Sequence, residues 1–198
     1  MVDAGIGRLL ISSLHQGIGE VAPTRLDFYE TWLSPTGMRD GRLGLAPLGA
    51  VLSFLYREGP PTTDRIARRA GTHAADWTFA DLSAFRRRLI ERLPAWLRTR
   101  AALSIGRQLV KTTVRQSRVK ARLRRSSGQV EIHSALFDQL REPASIPMRS
   151  FYAAALQRMF QRCGIDAEVT VAAEEGAHWR LDVVIHGSSR GVPAADAA

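Results

Sequence analysis

Apolar residues recur at two different spacings along the chain. Asp3 precedes a run through Ile6, Leu9, Leu10 and Leu14, which predicts an N-cap and a first helix whose end is weakened by Gly17-Ile18-Gly19. Pro23-Thr24 opens a second helix carrying Leu26, Phe28, Tyr29, Trp32 and Leu33, and Ser34-Pro35-Thr36-Gly37 stops it. Leu43 to Tyr56 is apolar almost all round and predicts a buried helix ending near Gly59-Pro60-Pro61. Thr62 or Thr63 can cap a further helix, with Ile66, Ala70, Ala74, Trp77 and Phe79 on its apolar side, reaching Asp81. A shorter helix covers Ser83 to Leu93, and Pro94 begins a long one running to about Gln116.

The period then changes from helical to alternating. Arg118-Val119-Lys120-Ala121-Arg122-Leu123-Arg124 predicts a half-buried strand, and Val130-Glu131-Ile132-His133 its return. With Ser127-Gly128 as a two-residue turn, Leu123 faces Ile132 and Arg124 faces Glu131. Past Pro143 and Pro147, Met148, Phe151, Tyr152, Ala155, Leu156, Met159, Phe160 and Cys163 form a helical stripe ended by Gly164. Ala167 to Ala173 and Trp179 to Ile185 alternate again. A three-residue turn at Glu174 to Gly176 sets Val171 opposite Trp179 and Val169 opposite Leu181. Residues 187–198 read as a disordered tail. The expected fold class is α+β: N-terminal helices packed on a four-stranded antiparallel sheet built as β-hairpin, helix, β-hairpin.

Composition changes this picture little. At 198 residues, with 45% hydrophobic and 24% charged side chains, the chain can bury a core without a staple. Its single cysteine, Cys163, forms no internal disulfide and fits a reducing compartment. The N-terminal MVDAGIGRLLISSLHQ does not read as a signal peptide, and the Leu43 to Tyr56 stretch is too short to span a bilayer, so a cytoplasmic protein is expected.

Charge is the unusual quantity, with 28 Lys/Arg against 19 Asp/Glu, a net of +9. From Arg86 to Arg125 there are fourteen Lys/Arg against one acid, Glu91, so this segment holds +13 and the remainder −4. Arg100, Arg107, Lys111 and Arg115 share a face of the long helix, and Lys120 and Arg122 add to it from the strand. These six are the candidate anion-binding residues, for a membrane, an acidic partner or a phosphate backbone. No aromatic residues interleave the basic strand and no helix-turn-helix or RNA-recognition signature is present, so nucleic acid is not expected as a partner.

The C-terminal part resembles the 4-vinyl-reductase domain family. The resemblance lies in RLPAWLRTRAALSIGRQLV, in VKARLRRSSGQVEIHSALF and in RSFYAAALQRMFQRCGIDAEVTVAAEEG, preceded by RIARRAGTHAADWTFADL. That family includes a protein linked to bacteriochlorophyll biosynthesis, and it shares its fold with a TRAPP vesicle-tethering subunit and with haem-NO-associated sensors. The resemblance covers residues 62–186, leaving 1–61 as an N-terminal helical region. It implies an apolar cavity between helices and sheet. Many members carry cysteines where this chain has Asp138, Arg149 and the stretch from Ala172 to Trp179. An activity that needs thiol ligation would therefore be missing here.

No catalytic constellation appears. His15, His73, His133, His178 and His186 lack ligand spacing, there is no Cys-x-x-Cys, and the Gly-Ile-Gly pairs lack dinucleotide or P-loop spacing. No metal, cofactor or catalytic residue is assigned, although a tetrapyrrole or other lipophilic ligand fits the resemblance. The expected function is a non-catalytic carrier or sensor for a lipophilic small molecule, a tetrapyrrole or an acyl chain. Leu52, Phe54, Tyr152, Met159 and Phe160 are its candidate ligand-binding residues. The alternatives are a scaffold docking through its sheet and basic face, as a homodimer or with an acidic partner, and an accessory protein or reductase of (bacterio)chlorophyll synthesis.

Overall fold

The computed structural model of the chain describes residues 6–30, 33, 45–115, 117–124, 126–134, 145–172 and 179–187. The helices among them are α1 (Arg8–Val21), α2 (Leu26–Glu30), α3 (Leu45–Arg57), α4 (Pro60–Ala80), α5 (Ala84–Arg92), α6 (Ala95–Thr113) and α7 (Ile146–Arg162), and a 3-10 turn (Pro23–Arg25) precedes α2. The strands are β1 (Arg118–Leu123), β2 (Ser127–His133), β3 (Asp166–Val171) and β4 (Trp179–Gly187). The expected α+β class is what the chain adopts. The predicted cap at Asp3 and the tail beyond Gly187 lie outside the described residues.

The sheet runs β1-β2-β4-β3 with every neighbouring pair antiparallel, so the two hairpins join through β2 and β4. Val130, Ile132, Ala167, Val169, Trp179, Leu181 and Val183 are buried on one face, and the residues between them point outward. α7 covers the buried face. It is a central helix rather than an amphipathic one: every residue from Phe151 to Leu156 is buried, because the sheet packs on one side and α4 and α6 on the other. Ala153, Ala154 and Ala155 fit that double contact by being small.

α4 lies along α7, and α1 lies along α4. Gly71 lets the α4 and α7 backbones touch, since a Cβ there would run into the Phe151 carbonyl. The first helix does not weaken at its glycines. It continues to Val21, with Gly17 buried against the Ile66 carbonyl and Ala70 of α4. The two residues before α1 are tied to the end of α6: the Gly7 N–H donates to the Thr113 carbonyl at 2.8 Å and Ile6 bridges Val114. One buried apolar cluster extends from Ile6 to Val183, so the N-terminal helices share the core of the sheet region.

Several expectations need correction. α4 starts at Pro60-Pro61 rather than being capped by Thr62 or Thr63, and its N-cap is Gly59 at φ 102°. Thr63 is buried, with its hydroxyl within reach of the Leu55 and Gly59 carbonyls. α6 stops at Thr113 because Val114 turns extended to meet Ile6. In the first hairpin Leu123 pairs with Gly128 and Val119 with Ile132, a slip of four residues from the predicted pairing. The turn closes through the Arg124 N–H on the Ser127 carbonyl (2.7 Å), and Gly128 belongs to the strand, close under Leu123. In the second hairpin Val171 pairs with Leu181 and Val169 with Val183, a slip of two. The predicted turn at Glu174 to Gly176 lies outside the described residues. Both slips are even, so every side chain keeps its predicted face.

Candidate functional site

The five candidate ligand residues fall in two places. Leu52 and Phe54 lie on α3, which packs on α4. Phe54 is partly buried and meets Phe28 of α2 edge to face, with centroids 5.4 Å apart; Phe28 meets Tyr29 the same way at 5.1 Å. Adjacent residues of a helix point about 100° apart, so Tyr29 turns fully inward while Phe28 stays 47% exposed. Polar groups frame the rings. The Arg57 guanidinium sits 5.8 Å over Phe54, and the Tyr29 hydroxyl lies 3.5 Å from the Glu58 carboxylate, which also faces Arg25 Nε at 3.3 Å. Burial, reinforced by the Glu58 charge, pushes the Tyr29 phenol up to about 12.

Tyr152, Met159 and Phe160 belong to α7 and are completely enclosed. Tyr152 packs edge to face on Phe151 (5.0 Å) and tilts against Trp179 (6.2 Å). Its hydroxyl lies 2.8 Å from Thr113 Oγ1. Thr113 donates its own proton to the Val110 carbonyl at 2.8 Å, so the phenol is the donor in the Tyr–Thr pair. Desolvation raises the Tyr152 pKa. These three residues wall the core on the sheet side and Leu52 is as fully buried on α3, whereas Phe54 forms, with Phe28 and Tyr29 of α2, an aromatic cluster that reaches the surface.

The six candidate anion-binding residues are all exposed, but they occupy two surfaces. Arg100, Arg107 and Lys111 line the outer side of α6, and Arg115 follows the end of that helix. Lys120 and Arg122 lie on the outer face of the sheet, where counter-charges stand beside them. Lys120, Glu131 and Arg180 form one cross-strand row, and Arg122, Gln129, Asp182 and Thr170 the next. Gln129 Nε2 donates to Asp182 at 3.1 Å. The sheet face is thus a mosaic of both signs, while the α6 side stays basic.

Each described histidine lies beside a glutamate: His15 with Glu30 (3.0 Å), His73 with Glu20 (2.8 Å), His133 with Glu131 (3.5 Å) and His186 with Glu168 (3.8 Å). His178 lies outside the described residues. His73, the one histidine near the helical core, also packs beside Trp77 at 5.7 Å. Glu20 is held below the usual carboxylate range, first by the Gln16 amide and then, against some desolvation, by Arg69 and His73. One turn farther along α4, burial raises the Asp76 carboxyl, but hydrogen bonds from Arg158 (2.8 Å) and Arg162 (2.6 Å) outweigh it and the net shift is downward. Both clusters tie α4 to its neighbours. Among the described residues no group of three His, Cys, Asp or Glu stands where it could hold a metal ion. Cys163 is buried at the end of α7, and desolvation pushes its thiol up to about 12 against a smaller pull from Arg98. Such a thiol is poorly reactive. An open groove of about 410 Å³ beside β3, lined by Arg68, Gln157, Glu168, Thr170 and His186 among others, is mostly polar.

Pattern reading overlooked two features. The helical pattern puts Phe28 and Tyr29 on one element without separating their facings, and it does not mark Phe85 and Leu89, one turn apart on α5, as an outward apolar pair. The i, i+4 spacing of Phe85 and Leu89 was the available signal. Compared with protein-family models, curated proteins and solved structures, the chain finds no match. No helix among the described residues is long and apolar enough to cross a membrane.

Proposed function

We propose that the chain is a non-catalytic binding module for a lipophilic small molecule, taken up at the aromatic cluster of α2 and α3. The observation that carries this is the half-exposed Phe28 edge to face with both Phe54 and the buried Tyr29, beside the polar groups of Arg25, Arg57 and Glu58. Small-molecule sites combine an apolar lining with a few placed polar groups, and this cluster offers both. Planar rings such as tetrapyrroles, or acyl chains, are the ligands suggested by the resemblance to the 4-vinyl-reductase domain family. Tyr152, Met159 and Phe160 then support the site from the core rather than touch the ligand. The lone buried thiol fits action in the cytoplasm.

The test is a fluorescence titration with an environment-sensitive apolar dye. The wild type is expected to bind one equivalent, and Phe28→Ala/Phe54→Ala to bind at least about tenfold more weakly, the loss of two ring contacts. Unchanged binding in the double variant, with binding abolished instead by Tyr152→Phe, would place the ligand in the core and overturn the assignment.

A further inference from the structure

We infer that α5 and the first turn of α6 form a surface that docks onto an anionic membrane, at the level of the lipid headgroups. Three large apolar side chains stand in solvent there: Phe85 is 75% exposed, Leu89 49% and Trp96 59%. A helix turns about 100° per residue, so Phe85 and Leu89 fall on one outward stripe, with Arg88 and Arg92 along one edge and Arg86 along the other. Buried Leu82 and Ile90 hold α5 to the protein from the opposite side. One bend later Trp96 projects from α6, with the Arg100 guanidinium 5.2 Å over its ring. Arg86, Arg88 and Arg92 are exposed and, among the described residues, pair with no carboxylate.

Apolar side chains edged by arginines are the chemistry of a helix lying in the plane of a bilayer surface. Phenylalanine, leucine and tryptophan enter the headgroup–acyl boundary, and arginine stems lie along it while their guanidinium groups reach lipid phosphates. Tryptophan favours that interface because its ring is apolar and its N–H is not. A free phosphate would use the arginines but leave Phe85, Leu89 and Trp96 unexplained. A second copy of the chain would set the arginines of one patch against those of the other, and like charges oppose such a two-fold contact. Along α5 and α6 there are eight Lys/Arg against one acid, Glu91, so these two helices carry a positive charge that draws an anionic surface. Neither α2 nor α3 contributes, so this surface is independent of the proposed ligand site.

The experiment is co-sedimentation of the full chain with vesicles of phosphatidylcholine alone or with about one quarter phosphatidylserine, at low and physiological salt. Binding is expected to the anionic vesicles and to weaken with salt, with Trp96 emission shifting to the blue and being quenched by brominated acyl chains. Phe85→Ser/Leu89→Ser/Trp96→Ser should lower partitioning by about tenfold or more, and each of Arg86→Gln, Arg88→Gln and Arg92→Gln by about fivefold. Trp96→Phe should bind nearly as well and lose the emission change, which identifies the inserted ring even if the triple variant folds poorly. No binding to anionic vesicles at low salt would overturn the inference. So would undiminished binding by a folded triple variant, or sedimentation of the wild type as a dimer that the triple variant abolishes.

Discussion

Replacing Gly71 with alanine tests the packing on which the whole helical layer depends. In an exposed helix interior the change would stabilise by about 1 kcal/mol, since glycine is that much poorer a helix former. Here the new Cβ would strike the Phe151 carbonyl and stand 3.1 Å from the Ala155 nitrogen, both in the backbone of α7. Backbone cannot rotate away as a side chain can, so α4 and α7 must part along their contact. Overpacking of that kind costs about 1–3 kcal/mol, and a gap of 0.5–1 Å or so forfeits roughly a quarter to a half of the dispersion energy across it. The net expectation is a loss of about 1–2 kcal/mol, or roughly 2–8 °C in Tm for a chain of this size. Two other glycines serve as controls. A Cβ on Gly19 would make an ordinary 3.6 Å contact with Leu26, so Gly19→Ala should stabilise by about 0.5–1 kcal/mol. A Cβ on Gly106 would meet only the Leu156 methyl end at 2.7 Å, which can move, so Gly106→Ala should stay within about 1 kcal/mol of wild type. Urea unfolding followed by circular dichroism, with equal m-values, measures all three. A Gly71→Ala protein as stable as Gly19→Ala would refute the close approach of α4 and α7.

Asp76 carries a pH prediction. Its folded carboxyl titrates below the ordinary 3.8, so the stability it contributes is present above pH 3.8 and is lost as pH falls through the lower folded value. Asp76→Asn should cost about 1–2 kcal/mol at neutral pH and flatten the acid limb of the stability profile, measured by urea melts at successive pH values; an unchanged acid limb would exclude the Arg158–Asp76–Arg162 link. Tyr152→Phe should cost about 1 kcal/mol, because Thr113 keeps its bond to the Val110 carbonyl, and a Thr113→Val cycle in urea melts should show the two hydroxyls to be coupled. Cys163 should react with a thiol reagent only on unfolding, and Cys163→Ala should cost about 1 kcal/mol or a little more through lost packing; rapid modification of the native protein would contradict its burial.

Periodicity carried the architecture because it reports facing, and facing survives errors of register. The alternation from Arg118 to Arg124 and from Trp179 to Ile185 assigned each side chain to the face it occupies, although the pairing slipped by four and by two. The slips came from turn chemistry. Ser127-Gly128 looks like a turn, yet Gly128 is glycine because Leu123 crosses directly above it. Burial on more than one side was less legible. The α7 stripe gave no sign that Ala153 and Ala154 are covered as well, since small residues suit either a second contact or none. For the same reason Tyr152, Met159 and Phe160 could not be told from ligand-lining residues: a large apolar side chain has the same spacing in a filled core and at a site mouth. The charge run from Arg86 to Arg125 was plain, but its division between α5, α6 and the outer sheet face follows from tertiary placement.

The central claim, a lipophilic ligand held at the α2–α3 cluster, is tested most directly by native mass spectrometry of protein purified from its own host. The expected result is a species heavier than the bare chain by one small organic molecule, stripped by organic solvent and absent from Phe28→Ala/Phe54→Ala purified in the same way. The chain at its bare mass, with no uptake of an added apolar dye, would contradict it.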